Sequence, residues 1–454
     1  MRLLLAHTSY KLPGGEDRVF ADEAALLRRN GHEVVEYRQH NEQTDGMFWP
    51  RLAARTIWSS STYSDLRARL RGLRPDVCHF HNTFPLMSPA VFYAARAERI
   101  PVVATLHNYR LLCPAATLMR DGVPCESCVS PLGAWNAVRY GCYRGSRCAS
   151  AVTALMLTAH RAANTWSRAV DVWIALTEFA RRKFVQGGLP AQRIVVKPNF
   201  VAADPGYSEV RETFALFAGR LSAEKGVETL LAAWEALDCP MQLKIAGDGP
   251  LKSRVVGACG RDPRIQYLGQ LTSECLREQM KRARVLVFPS LWYEGLPLTV
   301  LEAFATGLPV LASDLGSMTC VVSPGRTGLY FEAGNAAALA SRLTWCQENS
   351  ERMREMGRQA RLQYLASYNA DSNYRQLMTI YELALRNSSS AKLRHQADWS
   401  HGGAVVDHIA AADGPAGWSA AGGGIESGKG VALDDGAVHC AGRVTKETHA
   451  VGKQ

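Results

Sequence analysis

The sequence predicts an α/β protein with two Rossmann-like domains, whose parallel sheets face each other across a cleft. Short β-rich runs alternate with amphipathic helical stretches, which is typical of parallel sheets covered by helices on both faces. The alternation occurs in two sets, joined around residues 198–200 and the loop that leads to Arg211. With 454 residues, 47% of them hydrophobic, the chain is long enough for two or three domains with substantial cores.

Each set of strands defines one domain. The first set predicts strands at residues 2–7, 33–37, 77–81, 102–107, 172–176 and 194–197, with helical stretches at 19–30 and 89–99. Gly31 is a stop signal for the first of these helices. The second set predicts strands at 214–218, 242–246, 265–268, 285–288 and 310–312, with helical stretches at 226–237, 251–258 and 273–282. We therefore expect an N-terminal domain at residues 1–200 and a C-terminal domain at 201–386.

The C-terminal end of the chain differs in composition from the rest. A serine run follows Asn387, and 12 of the last 67 residues are glycine. No helix or strand period continues there, so we expect residues 387–454 to be disordered, because too little apolar surface offsets the entropy of ordering.

The apolar run after Met1 is too short for a secretory signal and is interpreted as a buried strand. No apolar run has the length of a membrane span, and a cytoplasmic protein is expected.

The positive charge lies in the first half of the chain. Residues 1–200 contain 26 Lys and Arg against 15 Asp and Glu (+11), and the remainder contains 26 against 27 (−1), which gives the net +10. This excess favours an anionic membrane, a lipid phosphate or nucleic acid near the N-terminal domain, although solvated Arg-rich faces explain it equally well. The candidate basic groups, which flank Trp49, Ile57 and Trp58, are Arg51, Arg55, Arg67, Arg69, Arg71 and Arg74.

The strongest functional signal is at residues 288–310, which read FPSLWYEGLPLTVLEAFATGLPV. A strand is expected to end at Phe288, and a helix with Pro297 in its first position is expected to run to about Thr306. The N-terminus of such a helix presents free N–H groups and partial positive charge, which suit a phosphate. Glu294 before the helix and Glu302 inside it could hold two parts of one ligand. Helix capping and a solvated helix face are the alternatives.

Three further segments at strand ends contain glycines, and one of them also contains two cations. Residues 217–226 read FAGRLSAEKG and contain Arg220 and Lys225. Two cations that face a pyrophosphate stabilise its charge. Residues 246–250 read AGDGP and form a turn that contains Gly249, and residues 13–15 read PGG and end at Gly15. The glycine pair alone is a weak signal, because turns use glycine everywhere.

In their order along the chain, the four segments resemble those of the family 4 retaining glycosyltransferases, which have the GT-B fold, and the resemblance spans roughly residues 1–386. In that family the first glutamate approaches the donor sugar and the second binds the nucleotide ribose, which implies these roles for Glu294 and Glu302. A histidine at the end of the equivalent strand lies near the donor sugar, so His107 and Glu294 are the expected catalytic residues. The remaining donor-binding residues that the resemblance implies are Gly15, Arg220, Lys225, Gly249, Gly295, Leu298 and Thr299.

The resemblance implies hexosyl transfer from a nucleotide-sugar donor to a glycan or lipid-linked acceptor, with retention of configuration. No metal is required for catalysis, because Arg220, Lys225 and the helix N-terminus stabilise the diphosphate. Family resemblance also suggests cell-surface polysaccharide or lipopolysaccharide synthesis, at the inner face of the membrane. His79 and His81 end a neighbouring strand, and either they line the acceptor cleft or they are ordinary polar residues of a strand end.

A cysteine-rich insertion occupies residues 113–148. The spacing C-x2-C-x13-C-x5-C indicates a structural zinc site with Cys125, Cys128, Cys142 and Cys148 as ligands, and Cys113 lies close in sequence. Free thiols and an iron–sulfur cluster stay open as alternatives, whereas disulfides are disfavoured in a reducing cytosol. Four thiolates leave no open coordination position, so a catalytic metal is not expected here.

Two other functions remain open at this point. A sugar-nucleotide epimerase of GT-B architecture would share the fold, but the order of the motifs fits it less well. A basic nucleic-acid-binding protein with a zinc module fits the charge and the cysteines. Its positive charges, however, are spread over about 200 residues instead of forming a dense stripe with aromatic residues. Nucleic acid is thus a less favoured partner than a nucleotide sugar, a glycan or lipid-linked acceptor, or an anionic membrane.

Overall fold

Two parallel six-stranded sheets form the core of residues 1–11, 14–130 and 132–400, the part of the chain that this computed structural model describes, with side chains described up to residue 388. The expected α/β architecture of two parallel-sheet domains is confirmed. The first sheet contains β1 (Arg2–Ser9), β2 (Glu33–His40), β3 (Val77–Phe80), β4 (Val102–Leu106), β7 (Val172–Ala175) and β8 (Ile194–Val196). Their order is β2-β1-β3-β4-β7-β8, with parallel neighbours throughout.

The second sheet has the strand order β11-β10-β9-β12-β13-β14, also fully parallel. Its strands are β9 (Phe214–Ala218), β10 (Gln242–Ala246), β11 (Ile265–Gly269), β12 (Val285–Phe288), β13 (Val310–Ser313) and β14 (Gly328–Phe331). Counted within the domain this is the order 3-2-1-4-5-6 of a dinucleotide-binding fold. The edge strand β14 was not predicted, because its run begins with Gly328 and directly follows turn-forming residues at 323–327.

Helices cover both faces of the two sheets. In the first half they are α1 (Gly15–Arg29), α2 (Trp49–Ile57), α3 (Ser60–Leu73), α4 (Ala90–Ala97), α5 (Asn136–Tyr140), α6 (Arg147–Ala162), α7 (Thr165–Arg168) and α8 (Glu178–Gln186). In the second half they are α9 (Val227–Glu235), α10 (Lys252–Arg261), α11 (Ser273–Arg282), α12 (Leu298–Ala305), α13 (Met318–Val321), α14 (Ala336–Glu348), α15 (Ser350–Ser367) and α16 (Ala370–Ser400). An antiparallel hairpin of β5 (Met119–Arg120) and β6 (Val123–Pro124) lies inside the cysteine-rich insertion.

Alternate residues of each strand enter different cores, because successive side chains point to opposite faces of a sheet. In β1, Leu4 and Ala6 belong to one buried cluster and Leu3 and Leu5 to another. The second domain repeats this pattern, with Ala215 and Phe217 of β9 on one face and Phe214 and Leu216 on the other. Both sheets are therefore buried on both faces.

The last helix, α16, returns to the first domain. Its residues Leu377, Ile380, Tyr381 and Ala384 recur at helical spacing and pack against Leu3, Leu5, Val77, Val103, Val172 and Ile174 of the first sheet. The sequence placed residues up to 386 in the C-terminal domain, and the structure instead gives this helix to the N-terminal core. Sequence periodicity shows that a face is apolar but not which sheet it covers.

Helix α16 also continues beyond residue 386, which differs from the disorder expected from residue 387 onward. Asn387 donates to the backbone carbonyl of Asp171, and Ser388 is buried. Residues 391–397 are mostly Ala, Lys, Leu, Arg and Gln, which favour helix, and the glycine-rich composition starts only at Gly402. The rest of the expected tail, residues 401–454, lies outside the described residues.

Candidate active site

The ends of the two sheets locate the site. Ligands of open α/β sheets bind beyond the carboxyl ends of the strands, at the point where the strand order reverses. That point lies between β1 and β3 in the first sheet and between β9 and β12 in the second. The segments that follow β1, β9 and β12 contribute to the lining of a cavity of about 910 Å³ and an adjoining one of about 310 Å³. Gly15 from the first domain and Lys225 from the second line both compartments.

Most residues that the sequence singled out lie on these two walls. The larger compartment is lined by Gly15, Arg220, Lys225, Gly249 and Thr299. The smaller compartment is lined by Gly15, His107, Lys225, Glu294, Gly295, Leu298 and Thr299. Residues separated by almost 300 positions thus share one cleft.

Helix α12 presents its N-terminus to the smaller compartment. It begins at Leu298, because Pro297 is extended (φ −67°, ψ 127°) and forms the N-cap instead of the expected first helical position. It ends at Ala305, with Thr306 as the C-cap. The amides of Leu298 and Thr299 belong to the first turn of a helix, where N–H groups have no acceptor within the helix. They are therefore available to an anionic ligand in the cleft.

Glu294 is held by three hydrogen-bond donors on one carboxylate oxygen. Its Oε1 accepts from Lys225 Nζ, Ser290 Oγ and Trp292 Nε1, each at 2.6 Å. All three donors belong to the second domain, so the carboxylate is oriented before any ligand binds. The ion pair with Lys225 also brings a cation to the place where the two compartments meet.

Glu302 lies deeper than expected and forms a contact between the domains. It is 3% exposed, and its Oε1 is 2.9 Å from Nη1 of Arg18 in α1 of the first domain. Arg277 Nε lies 3.6 Å from the same oxygen. A ligand hydroxyl at Glu302 would therefore share this carboxylate with Arg18, a residue that the sequence did not single out.

His107 ends a chain of buried polar groups behind the cleft. Its Nε2 is 2.9 Å from Nδ1 of His81, and Nε2 of His81 has a long contact of 3.4 Å to Oε1 of Glu23. Burial alone would raise the pKa of Glu23, but Lys197 and then His79 hold that pKa well below its usual range. Because the carboxylate is charged, it favours an N–H on the facing nitrogen of His81. His81 Nδ1 then accepts from His107 Nε2, which leaves Nδ1 of His107 as an acceptor.

The imidazoles of His81 and His107 are both neutral at physiological pH. Burial, followed by the neighbouring His81, lowers the pKa of His107 well below its usual value. Burial, followed by His79, lowers the pKa of His81 to about 3. A neutral His107 acts through hydrogen bonds and not through a positive charge.

His79 and His81 do not line the cleft but are buried behind His107. With Glu23 they form a group of three metal-ligating residues whose ligand atoms lie within 4.8 Å of one another. The ammonium of Lys197 already lies 3.1 Å from Oε2 of Glu23 and supplies the positive charge that a cation would bring. The group is therefore best described as a buried ion pair with hydrogen-bonded histidines.

Glu16 and Asn108 line the smaller compartment and were missed in the sequence. Glu16 accepts a hydrogen bond from Asn108 Nδ2 at 3.0 Å and one from the Tyr10 hydroxyl at 2.9 Å. Burial raises the pKa of Glu16, and these two hydrogen bonds oppose the rise. A signal was available, because Glu16 directly follows Gly15 and Asn108 directly follows His107.

The four cysteines expected to bind zinc do not converge in the structure, because among the described residues no three of their sulfurs lie within 4.8 Å of one another. Cys148 is exposed at the start of α6 and lines a separate cavity with Trp49 and Phe84. Cys113 and Cys128 are both buried in the core of the first domain. Interaction with Cys113, followed by burial, raises the pKa of Cys128.

The basic face expected on α3 is largely neutralised. Arg67 and Arg71 both contact the carboxylate of Glu98, and Arg69 pairs with Asp65. At the start of α2, in contrast, Phe48 and Trp49 are 71% and 65% exposed. Among the described residues, no helix combines the length and the apolar character that crossing a membrane requires.

Comparison with known proteins gives consistent matches over both domains. The family model "Glycosyltransferase Family 4" matches residues 13–204, and "Glycosyl transferases group 1" matches residues 206–363. Alpha-D-kanosaminyltransferase of Streptomyces kanamyceticus is 29% identical over 64% of this chain and 74% of its own length. Phosphatidyl-myo-inositol mannosyltransferase of Mycobacterium leprae is 25% identical over 85% of this chain and 97% of its own length.

Solved structures share the fold at low sequence identity. Anabaena Alr3699/HepE in complex with UDP has a TM-score of 0.60 at 16% identity, covering 84% of this chain and 99% of that one. Sucrose-phosphate synthase from Thermosynechococcus elongatus has a TM-score of 0.62 at 18% identity, covering 84% and 98%. These similarities establish the GT-B architecture. Because the two consecutive family models together match residues 13–204 and 206–363, the chain belongs to the family 4, group 1 glycosyltransferases.

Proposed function

We propose that this glycosyltransferase moves a hexosyl group from a nucleotide-sugar donor to a glycan or lipid-linked acceptor, with retention and without a catalytic metal. The observation that carries the proposal is the convergence of Lys225, Glu294 and the α12 amides on one wall of a cleft that His107 also lines. The wall combines a cation and free N–H groups for a diphosphate with a fixed carboxylate for sugar hydroxyls.

In this proposal each group meets one part of the donor. Arg220 and Lys225 bind the diphosphate together with the amides of Leu298 and Thr299, and Gly15 and Gly249 allow close approach of the backbone. Glu294 uses Oε2 for the sugar hydroxyls, because its Oε1 is occupied by three donors. Glu302 binds the ribose of the nucleotide. The solved relatives that contain UDP and UDP-glucose make uridine nucleotides the first class to test.

The chemistry follows from charge stabilisation and positioning. Arg220, Lys225 and the helix N-terminus stabilise the diphosphate as it departs, and such preorganised charge is usually the main contribution that a protein makes to lowering a barrier. The departing phosphate takes the proton of the acceptor hydroxyl on the same face of the sugar. Neutral His107 orients the donor sugar, because its Nδ1 accepts a hydrogen bond from a sugar hydroxyl.

The acceptor side of the proposal rests on the first domain. Phe48 and Trp49 are exposed at the start of α2, next to Arg51, which suits a protein that lies on an anionic membrane surface. Relatives named for teichuronic acid biosynthesis and for phosphatidyl-myo-inositol support an acceptor in surface polysaccharide or glycolipid assembly. We therefore place the enzyme at the inner face of the membrane. Neither an epimerase nor nucleic-acid binding is favoured by a specific observation.

The proposal is tested by measuring, with calorimetry, how nucleoside diphosphates and nucleotide sugars bind to the protein with and without EDTA. Arg220→Ala should weaken binding by about 10- to 150-fold, which corresponds to the loss of about 1.5–3 kcal/mol from a charge-assisted hydrogen bond. Arg326→Ala, in an exposed turn before β14, is the matched control and should change nothing. Glu294→Gln should reduce sugar transfer while it preserves affinity for the diphosphate. Absence of nucleotide binding in folded protein, or equal effects of both arginine variants, would refute the proposal.

A further inference from the structure

We propose that Glu126 is a positioning residue, which holds the loop of Glu294 in place by binding the hydroxyl of Tyr293. Glu126 belongs to the cysteine-rich insertion of the first domain, and Tyr293 lines the smaller compartment immediately before Glu294. This role rests on the proposed sugar transfer and deepens it, because the loop is the one that would contact the donor sugar. It also gives the insertion a part in the site.

The turn that carries Glu126 is fixed within the first domain. On one side, the amide of Cys125 donates to the carbonyl of Leu118 at 2.7 Å, next to the β5–β6 hairpin. On the other side, Nδ2 of Asn136 donates to the carbonyl of Ser127 at 2.7 Å. The backbone of Glu126 therefore has a defined position from which its side chain extends to the second domain.

The carboxylate of Glu126 connects the two domains. Nζ of Lys183 in α8 lies 2.7 Å from Oε1 and 2.8 Å from Oε2, so this ammonium orients the carboxylate from the side of the first domain. The Tyr293 hydroxyl of the second domain donates to Oε1 at 2.8 Å. Burial, followed by this hydrogen bond, raises the pKa of Tyr293, so the hydroxyl keeps the proton that it donates. Hydrogen bonds to a charged acceptor are among the stronger ones in proteins.

The ring of Tyr293 is enclosed by residues of both domains. It packs edge-to-face on Phe179, with ring centroids 4.8 Å apart, and lies 6.5 Å from the ring of Tyr109. A Cβ on Gly316 would lie only 2.8 Å from Cδ1 of Tyr293, so the backbone of the second domain approaches the ring closely. A ring held in this way transmits a displacement of its hydroxyl to its own backbone and to Glu294, the next residue.

The smaller compartment depends on this contact because its walls come from both domains. Gly15 and His107 of the first domain line it together with residues 292–299 of the second. The cations proposed for the diphosphate, Arg220 and Lys225, both belong to the second domain. Loss of the Glu126 contact should therefore impair sugar transfer, which needs both walls in register, more than it impairs nucleotide binding.

The first experiment measures amide hydrogen exchange of residues 290–297 in the full-length protein without ligand. Glu126→Ala and Tyr293→Phe should each speed exchange by about 10-fold, because a hydrogen bond to a charged group is lost. Glu126→Gln should have a smaller effect, because its amide oxygen still accepts from Tyr293. Glu178→Ala is the matched control and should change nothing, since Glu178 pairs with Arg181 of its own helix α8. Unchanged exchange in both Glu126→Ala and Tyr293→Phe would overturn the positioning role.

The second experiment compares turnover of UDP-glucose with the calorimetric affinity for UDP in the same variants. Glu126→Ala should lower kcat by about 10- to 100-fold with little change in the Kd of UDP. Adding Tyr293→Phe should cost no more than Glu126→Ala alone, because both changes remove one contact. Faster exchange with unchanged kcat would overturn the positioning role and leave a purely structural contact. If the wild type neither binds UDP nor turns over UDP-glucose, the proposed donor fails, and the exchange experiment still decides whether Glu126 holds the loop.

Discussion

The substitution Glu23→Gln tests the buried ion pair behind His107. Glu23 is 1% exposed and Lys197 is 2% exposed, and Oε2 and Nζ lie 3.1 Å apart. Glutamine keeps the size of the side chain but leaves the ammonium of Lys197 buried without a counter-charge. Breaking a buried pair in this way costs about 3–5 kcal/mol of unfolding free energy. Oε1 of Glu23 also lies 3.1 Å from Nδ1 of His79, and this contact loses its negative charge in the variant.

The pH dependence of this effect has a defined sign. The folded-state pKa of Glu23 lies well below its usual value, mainly because Lys197 and His79 outweigh the effect of burial. A carboxyl with a depressed folded pKa contributes stability above its unfolded pKa of about 4.3, and that contribution is lost as the pH falls further. The difference between wild type and Glu23→Gln should therefore be constant near neutral pH and should shrink below about pH 4.3.

Urea unfolding followed by circular dichroism measures the cost. Glu33→Gln is the matched control, because its partner Arg2 is also a cation of the first sheet but the pair is about half exposed, and it should cost less than about 1 kcal/mol. Adding Lys197→Met to Glu23→Gln should recover part of the loss, because the uncompensated charge is removed. If Glu23→Gln lowers the unfolding free energy no more than Glu33→Gln does, or if the double variant is less stable than the single one, Glu23 and Lys197 do not form a stabilising buried pair.

Three further predictions concern the cleft and the exposed face of α2. Because burial and His81 lower the pKa of His107, kcat/KM should show no limb near pH 6.5, and such a limb that disappears in His107→Gln would contradict a neutral imidazole. A Cβ on Gly295 would lie 2.6 Å from the His107 carbonyl oxygen and must move at least 0.4 Å to reach 3.0 Å. Gly295→Ala should thus lower kcat/KM by about 10- to 100-fold and also lower Tm, because the clashing atom belongs to the backbone, whereas Gly72→Ala, with open space around it, should do neither. The double substitution Phe48→Ser and Trp49→Ser should reduce co-sedimentation with phosphatidylglycerol vesicles. Unchanged binding would show that the start of α2 does not contact the membrane.

The strands were predictable where the run is continuously apolar. Strands such as β9 and β12 are runs of this kind next to helical stretches, and their boundaries could be predicted to within a residue. The edge strand β14 is as long as β12 but begins with glycine and is only partly buried, so its sequence resembles a loop. Helix α16 was not predicted, and the identity of the sheet that it covers depends on contacts across about 300 residues of sequence.

The site was predictable where function depends on local spacing and not where it depends on tertiary contacts. Glu294 and Lys225 each belong to a short motif, and the structure brings the two together. The pairing of Glu302 with Arg18 joins different domains, so no spacing in the chain indicates it.

The return of α16 has a consequence for how the chain folds as it is synthesised. The N-terminal domain emerges from the ribosome first, and domains generally fold in that order. Yet one face of its sheet, which includes Leu3, Leu5 and Val77, is completed only by residues 377–384 of the same chain. The half that is made first is therefore finished last, and the part of its apolar face that α1 does not cover stays exposed while the whole second domain is translated.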